Sequence, residues 1–337
     1  MKLGQRASAW GALAIAANLA GCAAGPHSPN VAGATSAPAP AASGFSQVGG
    51  ANVALSEFRN SAFPYHGLVP NEDDPSKSKP FLDASVDGKP GHSSARNGVL
   101  LEDATYNDRR VLLAASPDFN PNAPGAMVVF FHGNQATLER DVLNRQQTAR
   151  QVAQSDLNAV LVAPQLAVDA LDSSAGNFWR PGAFAQFLDE ADAKLSHLYP
   201  GTSASAFRRM PVVIVAYSGG YLPTAYVLAH GGAADRIRGV VLFDALYGEP
   251  DKFAQWIENE YRNTFFVSAF SSSSKSQNLA LEERLQRDGV PIQNGLPSSL
   301  GPGAVAFVDA GSASHEDFVS YAWTADPLRD VLSRVGR

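Results

Sequence analysis

The 337-residue chain predicts an α/β fold with a mostly parallel central sheet flanked by helices. Three observations predict it. Apolar runs of strand length, among them AMVVFFHG (126–133), PVVIVA (211–216) and IRGVVLFD (237–244), show no polar alternation, as expected of strands buried on both faces. Segments with helical spacing separate these runs, and strand alternating with helix builds a parallel sheet covered on both sides. Roughly 280 residues follow the N-terminal tract, a length suited to one such domain.

The N-terminal tract stands outside that fold. Lys2 and Arg6 form a short basic region, and Ala7 to Ala20 is alanine-rich, mostly apolar and too short to span a bilayer. It runs into Leu19-Ala20-Gly21-Cys22, which resembles the bacterial lipobox. The resemblance implies a signal peptide over residues 1–21, cleavage before Cys22, and a lipid chain on that cysteine holding the protein to a membrane surface. Ala23 rather than aspartate follows, so the implied destination is the periplasmic face of the outer membrane. Residues 22–50 are rich in Ala, Pro, Ser and Gly and lack charge, and read as a flexible tether. Residues 51–337 then form a single domain.

Composition excludes several classes. Cys22 is the only cysteine, so the mature chain has no internal disulfide. The net charge is −6, and without Lys2 and Arg6 there are 24 basic against 32 acidic residues, a net of −8. No basic run is present, which argues against a nucleic-acid partner. No metal-ligand spacing or solenoid repeat occurs, so neither metal nor cofactor is expected.

The elements follow in order. Residues 51–95 are dense in turn formers and read as an irregular wrap. NGVLLED (97–103) and RRVLLAAS (109–116) read as two paired antiparallel edge strands. The strand at 126–133 leads into a helix from Thr137 to Gln154, then the strand NAVLVAP (158–164). A helix over 181–199 places Phe184, Phe187, Leu188 and Leu195 on one side. Next come the strand 211–216, a helix stopped at Gly231-Gly232, and the strand 237–244. Helix 253–261, strand 263–270, helix 278–289, strand 303–311 and a terminal helix opened by Asp326-Pro327 complete the chain.

The stretch PVVIVAYSGG carries the chemistry. A buried strand ends in Ser218, Gly219 and Gly220 let the backbone pass close by, and a helix follows. Strand, sharp turn with serine, and helix make a nucleophile elbow. The usual G-x-S-x-G pattern has Ala216 in place of its first glycine.

This order of elements, from roughly residue 97 to 337, resembles the α/β-hydrolase fold. The resemblance implies a base in the loop after the last strand, where GSASHEDF holds His315. It implies an acid after the penultimate strand, but SSSSKSQN there contains none. Asp244, at the end of the strand 237–244, takes the alternative position, with Glu249, Asp309 and Asp317 as further candidates. VVFFHGNQAT resembles the family's oxyanion loop, which gives one donor as the amide of Gly133 or Asn134 and the other as that of Gly219. Tyr217 and Tyr221 flank the serine as pocket residues. The loop DSSAGNFWRPG offers Asn177 and Trp179, beside Asp172 and Arg180, for substrate binding, or else is a self-capped structural loop. Tyr247 lies near Asp244. The short connection after Asp244 leaves no room for a large lid.

The expected function is an envelope-anchored serine hydrolase that cleaves an ester on a small or envelope-derived acyl substrate, with the membrane reached through the anchor. A peptidase or amidase on envelope material is the close alternative. The missing acid and Ala216 also keep open a hydrolase-fold binding lipoprotein that has lost catalysis.

Overall fold

In the computed structural model, which describes residues 44–336, ten strands form one sheet. The strands in chain order are β1 (Ser46–Val48), β2 (Ala51–Glu57), β3 (Leu68–Val69), β4 (Lys79–Pro80), β5 (Ala84–Val86), β6 (Lys89–Ser94), β7 (Gly98–Leu101) and β8 (Arg110–Ala115). They continue as β9 (Ala126–Phe131), β10 (Ala159–Pro164), β11 (Val212–Tyr217), β12 (Ile237–Phe243), β13 (Phe265–Phe270), β14 (Gln293–Asn294) and β15 (Val305–Asp309). The large sheet runs β1-β2-β8-β10-β9-β11-β12-β13-β15-β14. From β10 to β14 every pairing is parallel, and β1, β2 and β8 join antiparallel at one edge. This is an α/β-hydrolase-type sheet.

The apolar runs form the centre because both faces are covered. Along β11, Val212, Ile214 and Ala216 enter one buried cluster, while Val213, Val215 and Tyr217 enter the other. The α-helices in chain order are α1 (Glu102–Thr105), α2 (Thr148–Ala153), α3 (Ala183–Leu198), α4 (Ala204–Arg208), α5 (Tyr221–His230), α6 (Pro250–Glu260), α7 (Lys275–Arg287) and α8 (Pro327–Leu332). On the first face lie α3, α5, α6 and α7. On the second lie α2 and α8. Helix α6 fills the connection between β12 and β13, and no lid domain is inserted there.

Three expectations need correction. Residues 46–48 of the tether segment and 51–57 of the wrap are strands of the large sheet, joined by a hairpin at Gly49-Gly50, both with positive φ. Glycine pairs of this kind turn two-residue hairpins without strain. Second, β7 does not pair with β8. It closes a small sheet with β5 and β6, while β8 lies between β2 and β10. Third, the single helix over 137–154 is divided. A π-helical segment spans Leu138–Arg145, and Gln147, at φ 50°, breaks the path before α2. Among the described residues, no helix is long and apolar enough to cross a membrane. Cys22 and the signal segment 1–21 lie outside the described residues.

Candidate active site

Ser218 leaves β11 with φ 51°, a left-handed conformation for a non-glycine residue. It opens a 3-10 turn over Ser218–Gly220 that leads into α5. Such strain persists only where the surrounding structure enforces it. Here the enforcing contacts are close. A Cβ on Gly133 would sit 2.8 Å from the Ser218 Cβ, and one on Gly219 would sit 2.7 Å from Ser173 Oγ. The elbow and the loop after β9 therefore approach at glycine distance.

His315 lies in the irregular segment after β15. Its Nε2 is 2.8 Å from Ser218 Oγ, and its Nδ1 is 2.7 Å from Asp244 Oδ2. Three residues from three connections thus form one hydrogen-bonded line. The segment that carries His315 is held at several points. Tyr217 OH donates to the His315 carbonyl at 2.9 Å, and the two rings stack. Arg145 Nη1 donates to the Glu316 carbonyl at 3.0 Å, while its Nε is fixed by buried Asp141. Gln151 Nε2 donates to the Val319 carbonyl.

Asp244 follows β12 at φ 44° and is fully buried. Its carboxylate accepts from Ser271 Oγ at 2.7 Å, Ser273 Oγ at 2.6 Å, Ser274 Oγ, and the Ser271 amide at 3.1 Å. Tyr247 OH adds a longer contact at 3.3 Å. Burial alone pushes this carboxyl up. Hydrogen bonds from His315, Ser273, Ser274 and the Ser271 amide outweigh burial and hold it well below the usual carboxylate range. The serine run after β13 thus stands where the acid was expected, and it supplies donors to an acid on the neighbouring strand. The run FSSSSK was visible in the sequence but registered there only as a missing acid. Glu249 and Asp309 are ion-paired with Lys252 and Lys275 instead.

The oxyanion-loop segment is organised by His132, whose ring is buried. Its Nε2 accepts from the Leu166 amide at 2.9 Å, so the proton is on Nδ1, which donates to the Gly133 carbonyl at 2.7 Å. Burial, the largest influence, pushes this imidazole down to about 4, and the ring is neutral at pH 7. A planar trans peptide sets its C=O and N–H in opposite directions. With the Gly133 carbonyl drawn to His132, the Asn134 amide faces away from the buried ring. The Gly219 amide lies in the first turn of a helix, where N–H groups lack intrahelical partners.

A cavity of about 970 Å³ opens over Ser218 and His315. Its wall includes Asn134, Gly219, Tyr217, Tyr221 and Tyr247. Among the described residues, Ala95 and Leu171 are its only aliphatic side chains, and Arg96, Arg140 and Arg145 also reach it. Trp179 and Asn177 are absent from this wall. Trp179 is 7% exposed and packs on Tyr65, Phe81 and Tyr226. Asn177 Nδ2 donates to the carbonyls of Ser61 at 3.0 Å and Pro64 at 2.9 Å, and Asp172 accepts from Tyr106 OH. Asn177 thus binds backbone from residues 61–64 rather than the cavity, while Ser173 of the same loop lines it. Among the described residues, no cluster of three His, Cys, Asp or Glu side chains could hold a metal ion.

No family model matches the chain, and no curated protein matches its sequence. Solved structures do resemble it. One is a mutant of the feruloyl esterase module from Clostridium thermocellum complexed with sinapinate, at 14% identity and TM-score 0.45, covering 82% of this chain and 97% of that one. Another is an S-formylglutathione hydrolase from Agrobacterium tumefaciens, at 12% identity and TM-score 0.47, covering 87% and 99%. A third is an esterase from the Planctomycetes species Thermogutta terrifontis, at 11% identity and TM-score 0.38, covering 62% and 79%.

Proposed function

We propose that the chain is a serine hydrolase that cleaves polar carboxylic esters through an acyl-enzyme. The observation that carries this reading is the line Ser218 Oγ, His315, Asp244, with contacts of 2.8 and 2.7 Å. A serine hydroxyl needs a base to become a useful nucleophile, and the base needs an orienting acid. His315 Nε2 takes the Ser218 proton as Oγ attacks the ester carbonyl. The oxyanion is met by the Gly219 and Asn134 amides, the second aimed by His132. The tetrahedral adduct collapses, the ester oxygen leaves with the proton from His315, and the acyl group stays on Ser218. Water, deprotonated by His315, repeats the attack and frees the acid. Asp244 stays ionised throughout and stabilises the imidazolium.

The polar wall supports short or polar acyl groups over long alkyl chains, since a chain of many methylenes finds little apolar surface there. A binding lipoprotein with a lost site is opposed by the same two contacts, because an inert fold has no need to keep them. We also propose lipid attachment at Cys22, which rests on the sequence LAGC alone. Metabolic labelling with a fatty-acid analogue tests it, and a Cys22→Ala chain that still labels overturns it.

The test of the main reading is reaction of purified residues 23–337 with a fluorophosphonate probe, followed by a series of p-nitrophenyl esters and matched amides. The expected result is covalent labelling lost in Ser218→Ala, with acetyl and butyryl esters cleaved faster than octanoyl. A folded protein that does not label overturns the hydrolase reading. Amides cleaved faster than esters move it to the amidase class.

A further inference from the structure

Three guanidinium groups reach the cavity over Ser218, and two of them are committed. Arg140 and Arg145 both pair with buried Asp141, and Arg140 pairs with Asp169 as well. Arg145 further binds the Glu316 carbonyl. Their charge is spent on holding the π-helical segment and the His315 loop. Arg96 differs. It stands at the tip of the β6–β7 hairpin, exposed on the cavity wall, and has no ion-pair partner among the described residues. Among the described residues, the one hydrogen bond of its side chain is to a neutral group. With the Asn134 amide turned to satisfy its neighbours, the side-chain oxygen accepts from Arg96 Nη2 at 2.8 Å and the nitrogen donates to the Asp172 carbonyl at 2.8 Å.

That contact fixes where Arg96 stands. Asn134 is the residue whose backbone amide faces away from His132 beside Ser218. A guanidinium has five donors in a planar fork that matches a carboxylate. One donor is used on Asn134, and the rest remain for the cavity. The other charges on the wall do not neutralise it. Asp169 is paired with Arg140, and among the described residues Glu316, which follows His315 in the loop after β15, forms no ion pair with Arg96.

We infer that Arg96 recognises a carboxylate on the substrate, so that the preferred substrates of this site are esters bearing a negative charge near the scissile bond. The inference rests on the hydrolase reading and adds a substrate class to it. A free guanidinium at the mouth also raises the local concentration of anionic substrate, an effect that salt weakens.

The experiment compares matched pairs of chromogenic esters. One pair is p-nitrophenyl hydrogen adipate and its methyl ester, with the charge on the acyl side. The other is 4-acetoxybenzoate and its methyl ester, with the charge on the leaving group. In at least one pair the anionic ester is expected to be favoured in kcat/KM by about tenfold, the scale of one charge-assisted hydrogen bond. Arg96→Gln removes that preference, Arg96→Glu reverses it, and added salt reduces it in the wild type. Arg209→Gln, at an exposed position outside the cavity wall, keeps it. A wild type that treats both pairs alike, or a preference that survives Arg96→Gln, overturns the inference while the hydrolase stands. A protein that neither cleaves an ester nor labels at Ser218 removes both.

Discussion

Tyr217 and His315 lie ring on ring, with centroids 5.2 Å apart and planes at 24°, and the Tyr217 hydroxyl donates to the His315 carbonyl at 2.9 Å. The residue before the nucleophile therefore holds the base. This relationship joins two segments 98 residues apart, and it makes the register of β11 part of the geometry of the site. Because β11 pairs on both sides, with Phe131 opposite Ala216 and Phe243 opposite Tyr217, the tyrosine ring has little freedom to drift.

The first prediction separates the two contacts of Tyr217. Tyr217→Phe keeps the stacked ring and loses one hydrogen bond, worth about 1 kcal/mol or roughly fivefold in rate if spent on the transition state. The expected outcome is a kcat lowered about that much with KM nearly unchanged. Tyr217→Ala loses the stack as well and should fall further. A Tyr217→Phe enzyme with normal kcat and raised KM would mean that the hydroxyl touches substrate rather than positions His315.

A second prediction concerns the serine cradle of Asp244. Its carboxyl releases a proton more readily in the folded chain than in the unfolded one, whose value is about 3.9. The stability it lends is then complete above that value and is lost as pH falls through the lower folded one. The double variant Ser273→Ala/Ser274→Ala removes two of the donors that hold it down. At about pH 6 the variant should be less stable by about 1–3 kcal/mol. The gap should narrow only as the medium is acidified below about pH 4 toward the folded value, because the variant's carboxyl, held down by fewer donors, takes up its proton before the wild type's does. Thermal melting across that range measures it, and a gap that is constant with pH counts against the cradle.

The third prediction tests close approach. A methyl group at position 133 meets the Ser218 Cβ at 2.8 Å and the Tyr217 ring at 2.9 Å, and neither contact is the free end of a flexible chain. Gly133→Ala should push the oxyanion loop from the elbow by a few tenths of an ångström. Misplacement on this scale costs on the order of 10²-fold in kcat. Melting temperature and circular dichroism should change little, since the loop ends outside the sheet. Full activity in this variant would place the oxyanion donors elsewhere.

Much of this molecule was legible in the chain because its central strands are buried on both faces, which leaves a continuous apolar run that few other elements share. The sheet edge was less legible. Residues 51–57 bury Ala51 and Val53, leave Asn52, Ala54 and Ser56 half-buried and expose Leu55 and Glu57, and the surrounding turn formers conceal that short, irregular pattern. The loop from Asp172 to Gly182 misled for a different reason. A polar side chain such as Asn177 looks the same in sequence whether it meets a ligand or a backbone carbonyl more than a hundred residues away. Trp179 likewise reads as a pocket aromatic until Tyr65 and Phe81 are found against it. The serines at 271, 273 and 274 were hidden by a search for one acid at one position. Hydroxyls have no motif spacing of their own, and only the adjacency of β12 and β13 brings them to Asp244.

His132 supports the last prediction, because it separates positioning from proton transfer. It is within two residues of Asn134 yet is turned into the protein, with its three contacts all made to Gly133, Gln165 and Leu166. A histidine held neutral binds a proton more readily unfolded than folded, so acid favours the unfolded chain. That penalty is absent above the ordinary value of about 6.5 and grows as pH falls toward the folded value of about 4. His132→Leu removes the titration and also leaves the Leu166 amide and the Gly133 carbonyl without partners, at a cost of about 1–3 kcal/mol for each group left buried. The variant should therefore be less stable than wild type at neutral pH, with the difference shrinking on acidification to about pH 4.5, since only the wild type bears the protonation penalty. Its kcat should fall by roughly 10²-fold, as for the loss of one oxyanion donor. Labelling of Ser218 by a fluorophosphonate should slow with it, while the pH profile of kcat keeps its shape. A changed profile would make His132 a proton carrier and break the assignment of its ring to the Gly133 carbonyl.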